Sequence, residues 1–350
     1  DEIAAARQAL GHEPSPELAR ALAFQVSRLA ISGQAREGLD LSEEALQLAR
    51  SHGSAADTVR VLDAIGLARL ELGDPTGLDK LEEALALAKR VGLSRMLGTM
   101  LNNLAWNTYL VRGPRRALPI FQEGIAFAAG RGQKNAQWWM ETSQAEVLID
   151  AGEWDAAVAL AQKVIRAADP AASLVLDSAA YVIGMVAVRR GDLDTARTMV
   201  SDPTIARIRE FGSPDHVAPW LTLRALLELA GGNAGTAVAL VDEVVAATAD
   251  APTQWLMVVH DAVEVLVAAG AGERAGALVP DTVQALARNE LCRRTAAARV
   301  GAAAGTETPD SLLALARDWD DYGNPYQGAR AREDAARVAA RSGRDGERRR

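Results

Sequence analysis

Apolar positions recur along this chain with helical spacing, one stretch after another. In residues 41–50, Leu41, Ala45, Leu46, Leu48 and Ala49 share one broad face, and Ser42, Glu43, Glu44 and Gln47 lie largely opposite. Leu78, Leu81, Leu85 and Ala88 repeat the pattern. No run alternates strictly with β-branched residues, so the pattern predicts an all-α chain without a sheet. Glycines end the stretches: Gly33, Gly73, Gly113, Gly152, Gly191, Gly232 and Gly270 follow one another at intervals of 38 to 41 residues, and Gly305 and Gly343 extend the series. A helix C-terminus commonly ends in a left-handed residue, which glycine adopts without a Cβ penalty. A second set of breaks falls between them, at Gly53, Gly92, Gly132, Pro170, Gly212, Pro252, Asn289 and Gly323. Two breaks per repeat give two helices per repeat and about eight helix pairs in all, over residues 1–343. Pro75, Pro114, Pro309 and Pro325 suit the first turn of a helix, where the missing N–H costs nothing. Pro203 and Pro280 fall inside second helices, which are expected to kink or break in two.

Small residues mark where helices of a pair cross. Seven positions before the turn glycines stand Gly66, Ala145, Gly184 and Ala225; five after them stand Gly38, Ala157, Ala196, Ala237 and Ala275. The turns Gly73-Asp74-Pro75, Gly152-Glu153-Trp154 and Gly191-Asp192-Leu193 resemble those of tetratricopeptide repeats. That resemblance implies an α-solenoid, a right-handed superhelix of antiparallel pairs, in which each pair hides its apolar face on the next and first helices line a concave surface. The pattern departs from the family in two ways. Trp106 and Val263 occupy small-residue positions, and the period is nearer 39 than about 34.

Composition sharpens this picture. Hydrophobic residues make up 49% and charged residues 24%, as in a folded chain, while aromatics are only 4%. Abundant alanine favours many closely stacked helices over one large core. A net charge of −8 opposes nonspecific nucleic-acid binding, and no apolar run is long enough to span a membrane. The basic stretch 344–350 is expected to be a disordered tail. The single cysteine, Cys292, excludes an intrachain disulfide and fits a cytoplasmic location. The chain opens on Asp1, which fits a piece of a longer polypeptide.

Residues 113–140 carry a second resemblance. Gly113-Pro114-Arg115-Arg116-Ala117-Leu118, then Phe121-Gln122-Glu123-Gly124-Ile125-Ala126-Phe127-Ala128 and Trp138-Trp139, preceded by Leu101-Asn102-Asn103-Leu104-Ala105, look like the helical-repeat region of large multidomain bacterial signalling ATPases. Those proteins join a P-loop ATPase to a class III adenylate/guanylate cyclase domain or a LuxR-type helix-turn-helix. The resemblance implies a regulatory repeat region whose ATP-binding and cyclase chemistry resides in other segments.

No chemistry of its own is legible. The chain has no G-x-x-x-x-G-K-[ST], H-E-x-x-H, C-x-x-C or G-x-S-x-G, and its four histidines lack metal-ligand spacing. Gly270-Ala271-Gly272-Glu273-Arg274-Ala275 matches a dinucleotide fingerprint, but Gly270 stands in register with six inter-helix turns, so the match is a turn. Neither catalysis, cofactor nor metal is expected. The partner is expected to be a protein or peptide, including other domains of the same polypeptide, with a small molecule as the alternative.

The tetratricopeptide resemblance places positions thirteen, ten and six before each turn glycine on the concave face. Transferred to this chain, they select Asp63, Asn103, Asn107, Trp139, Thr142, Glu146, Tyr181, His260 and Glu264 as binding candidates. Asn103, Asn107, Trp139, Thr142, Glu146 and Tyr181 would form a polar and aromatic patch. Aromatics supply contact area at low entropy cost, and amides can pair with a peptide backbone.

Overall fold

The computed structural model describes residue 10 and residues 13–348. All its regular elements are helices: α1 (Pro16–Ile31), α2 (Ala35–Ser51), α3 (Ala55–Glu71), α4 (Gly77–Val91), α5 (Ser94–Arg112), α6 (Pro114–Ala129), α7 (Lys134–Asp150), α8 (Trp154–Ala167) and α9 (Ser173–Arg190). They continue as α10 (Leu193–Met199), α11 (Asp202–Phe211), α12 (Pro214–Ala230), α13 (Ala234–Ala247), α14 (Pro252–Ala268), α15 (Gly272–Ala277), α16 (Ala287–Ala304), α17 (Pro309–Tyr322) and α18 (Pro325–Arg348). The fold class is therefore all-α, as the hydrophobic period requires. The chain divides into two compact units, residues 1–111 with 116–140, and residues 112–115 with 141–350.

The turn glycines behave as the spacing predicts. Gly33, Gly73, Gly113, Gly152, Gly191, Gly232, Gly270 and Gly305 all have positive φ. Helix starts are also locally encoded. Ser54 and Asp57 form a reciprocal capping box at α3, and Thr308 caps α17 through the Ser311 amide.

In the first unit α1 packs on both α2 and α3, so the first helix of one pair lies against the first helix of the next. Leu18, Leu22, Val26, Val61 and Ile65 form its core there, sealed by Leu41, Leu46 and Leu48. Within the pair α3–α4 the close crossing is made by two glycines. A Cβ at Gly66 would stand 2.7 Å from Leu81 Cδ2, and a Cβ at Gly77 would strike the Gly66 carbonyl. The small-residue rule holds in the second unit too: Ala145, Ala157, Ala196, Ala225, Ala237 and Ala275 are fully buried. Val182, Val186, Leu221, Leu223, Val259, Leu266 and Trp319 are core residues of this unit.

Charges on second helices pair with the second helix one repeat on. Arg50 meets Glu83 at 3.3 Å, Lys89 meets Glu123 at 2.5 Å, and Arg209 grips Glu243 with two bonds of 2.9 and 3.0 Å. Arg274 closes on Asp242 in the same way. Each partner is substantially exposed, so each pair contributes at most about 1 kcal/mol.

Four expectations need correction. Pro203 does split its helix, giving α10 and α11, but after Pro280 no second half forms: α15 stops at Ala277 and residues 278–286 are irregular. Asn289 is not a break. It lies inside α16, which starts at Ala287, because the irregular segment after α15 takes up the chain reversal. Pro75 precedes its helix; its carbonyl accepts from Leu78 while α4 begins at Gly77. Finally, α18 runs through Gly343 to Arg348, where a break and a disordered tail were expected; its alanine- and arginine-rich sequence favours helix, which one glycine does not stop. Arg349 and Arg350 lie outside the described residues.

Candidate functional site

The candidate residues lie on first helices of both units. In the first unit Asp63 of α3 and Asn103 of α5 stand 40 residues apart, one repeat, and meet: Asn103 Nδ2 donates to Asp63 Oδ2 at 3.3 Å. Asp63 Oδ1 is buried with no hydrogen-bond partner, and burial pushes the Asp63 carboxyl up to about 6 despite the Asn103 bond. Asn107 is 8% exposed and donates from Nδ2 to the Asn103 carbonyl at 2.8 Å. These two asparagines thus tie up backbone and side chain along α5 and between helices. Trp138 is buried whereas Trp139 is 37% exposed. Beside them the Arg60 guanidinium lies 3.9 Å over the Phe24 ring, and burial lowers the Arg60 pKa.

The second unit holds a denser set. Thr142 and His260 are 2% and 3% exposed. Glu146 of α7 and Tyr181 of α9 are half-buried and electrostatically coupled. Burial pushes the Glu146 carboxyl up to about 7, opposed by His216 and Arg288. Tyr181 packs edge-on to Trp220 with ring centres 5.7 Å apart, and burial raises its hydroxyl pKa. Burial holds His260 neutral, its pKa far below the usual imidazole value, with Arg288 and Arg299 adding to the effect. Glu264 is not available to a ligand as a bare carboxylate: Arg299 and Arg330 each reach it at 2.9 Å.

Several residues that the three-position rule did not select make contacts in the same unit. Arg288 Nε lies 3.3 Å from Asp150 Oδ2, and Arg299 Nη1 donates to the His260 carbonyl at 2.5 Å. The Tyr326 ring lies 4.7 Å beneath the Arg189 guanidinium and 5.3 Å from the Trp154 ring, while Arg330 donates to the Tyr326 hydroxyl at 3.2 Å. Trp154, which follows the turn at Gly152, thus contacts a helix more than 170 residues away in sequence. A signal for some of these was present. Asp150 and Arg189 each stand two residues before a turn glycine, and counting six back from Gly305 lands on Arg299.

Among the described residues no cluster of three His, Cys, Asp or Glu side chains could hold a metal, and no helix is long and apolar enough to cross a membrane.

No protein-family model matches the chain, and no curated protein matches it. Solved structures do. The apo form of the quorum sensor NprR from B. thuringiensis superposes with a TM-score of 0.54 at 11% identity, covering 97% of this chain and 92% of that one. A tetratricopeptide repeat protein from Parabacteroides merdae aligns over 79% of this chain and 98% of its own at 12% identity, with a TM-score of 0.42. The chain therefore has the fold of a tetratricopeptide-like helical-repeat protein, an α-solenoid in class.

Proposed function

We propose that this chain is a noncatalytic recognition scaffold, a helical-repeat sensor that binds a peptide or protein segment on the inner face of its first helices. One contrast carries the reading. Outer charges on second helices are paired off repeat by repeat, whereas on the inner face polar groups stay half-buried with atoms that no protein group satisfies, Asp63 Oδ1 and Arg189 Nη1 among them. Buried polar groups are normally hydrogen-bonded, so unsatisfied ones call for a partner that the protein itself does not supply. The fold-level likeness to a quorum sensor is compatible with sensing but adds no site. The resemblance of residues 101–140 to the repeats of multidomain signalling ATPases supports placing this scaffold in a larger cytoplasmic regulator carrying ATPase, cyclase or DNA-binding domains.

A thermal-stability screen of the chain against a peptide library and a metabolite library tests this. The reading expects a ligand that raises Tm and whose effect weakens at least tenfold in Tyr181→Ala or Asn103→Ala, with far-UV circular dichroism unchanged. A metabolite hit with this behaviour would move the ligand class to small molecules. Hits indifferent to both substitutions, or none in either library, would remove the inner face as the binding surface.

A further inference from the structure

The turn glycines from Gly33 to Gly305 share a positive φ but stand in two kinds of surroundings. At Gly33, Gly73, Gly191, Gly232, Gly270 and Gly305 an added Cβ meets nothing within 4 Å. At Gly113 it would strike the Tyr322 carbonyl, and at Gly152 it would stand 2.8 Å from Pro325 Cγ. Gly323, between those two partners in sequence, faces Pro114, with its own Cβ position 3.3 Å from Pro114 Cγ. The turn that joins α17 to α18 therefore sits on the turns of the third and fourth pairs.

All these residues belong to the second unit, and the contact continues beyond them. The Tyr326 ring lies 5.3 Å from the Trp154 ring and 4.7 Å from the Arg189 guanidinium. Arg288 of the eighth pair reaches Asp150 of the fourth at 3.3 Å. Together they form a seam along which the end of the second unit meets its beginning.

In a helical-repeat chain each pair is held by its neighbours in sequence. Those joints are aliphatic here: α9 packs on α12 and α12 on α14, with Val182, Leu221, Leu223 and Val259 buried. The seam is built differently, from turn backbone, prolines, aromatic rings and charged groups. Its closure leaves Arg189 Nη1 shielded from water with no acceptor, a desolvation cost that parting removes. The seam contacts are additional to the stack of neighbours, so they can break while every pair keeps the pairs beside it.

We infer that this seam is a gate. The α17–α18 turn, Tyr326 and Arg288 part together from Gly113, Gly152, Trp154, Arg189 and Asp150, and the second unit exchanges between a closed and an open state with its helices intact. The inference goes beyond the recognition reading and does not depend on it. A partner shifts this exchange only by its difference in affinity for the two states.

The chain carries its own reporter. Cys292, its single cysteine, is fully buried at the seam, with Arg288 Nη1 3.6 Å from its Sγ while Arg288 Nε holds Asp150. Burial pushes the thiol up to about 12, so the closed state presents no thiolate.

The test follows the reaction of the full chain with dithiobis(nitrobenzoate) in rising urea. The Cys292 thiolate attacks the reagent's S–S bond, a mixed disulfide forms, and thionitrobenzoate leaves and is counted. The wild-type reaction should run about tenfold or more faster than the globally unfolded fraction allows, and should stay nearly flat at low urea, because parting a seam exposes little surface. Tyr326→Ala and Gly113→Ala should each speed it about tenfold or more, with far-UV circular dichroism unchanged and the melt still cooperative. Gly232→Ala imposes the same backbone strain in the same unit away from the seam, and should stay within about twofold of wild type. Should Gly113→Ala fail to fold, Tyr326→Ala and the wild-type urea dependence decide. A wild-type rate that tracks global unfolding, no acceleration in Tyr326→Ala, or equal acceleration in Gly232→Ala and Gly113→Ala overturns the gate.

Discussion

Arg288 of α16 reaches Asp150 of α7 across 138 residues of sequence, Nε to Oδ2 at 3.3 Å, and both side chains are about nine-tenths buried. No neighbour-to-neighbour stacking of pairs requires this contact. It brings the eighth pair to the fourth within the second unit. Removing one member of a buried pair takes a compensating partner from the other charge, at a cost of up to about 3–5 kcal/mol. Arg288→Ala is therefore expected to lower the urea midpoint markedly, whereas an exposed change such as Glu43→Ala stays within about 0.5 kcal/mol.

A second long-range contact makes a comparative prediction. Gly33 and Gly113 both have positive φ, but a Cβ at Gly33 meets nothing within 4 Å, while at Gly113 it would strike the Tyr322 carbonyl oxygen. Gly33→Ala should cost about 1–2 kcal/mol from backbone strain alone. Gly113→Ala should cost clearly more, because the α17 terminus must also move. Parallel thermal melts of the two variants read the difference directly.

Glu146 carries a pH signature. Its carboxyl is raised to about 7, so between pH 4.5 and 7 the folded chain keeps a proton that the unfolded chain has released. The associated stability is complete below about pH 4.5 and disappears as pH climbs through 7. His216, Arg288 and Asp150 face the same group and set how far it moves. Glu146→Gln should stabilise the protein by about 1–3 kcal/mol at pH 8, with the gain vanishing near pH 5. Melting curves of both proteins at the two pH values decide it; a gain independent of pH would refute the assignment.

The outer ion pairs should matter little. Arg209→Ala is expected to lose at most about 1 kcal/mol at low salt and less in high salt, since both partners are substantially exposed. A chemical-denaturation series in rising salt checks this.

The fold was readable because its signals are local. Left-handed glycines, capping residues such as Ser54 and alanines at crossings act within one helix or one turn, and they fall where the period puts them. Pro280 marked a break correctly, but the path of the chain beyond it depends on Trp255, whose Nε1 donates to the Leu278 carbonyl, and on Glu290, which accepts from the Gln284 amide. Neither bond is visible in a repeat pattern. The candidate residues were legible only in part for the same reason. The register selected Glu146 and Tyr181 as candidates, whereas Arg288, Tyr326 and Arg330 join the second unit through contacts tens to more than a hundred residues apart, which no register shows.

The allotment of residues 112–115 to the second unit, while 116–140 belong to the first, bears on dissecting this molecule. The chain is interleaved there, so no single cut yields two intact pieces. A fragment opening at residue 141 would lack Gly113 and Pro114, against which Tyr322 and Gly323 rest. Fragment boundaries for separate expression therefore need to overlap across α6 and α7.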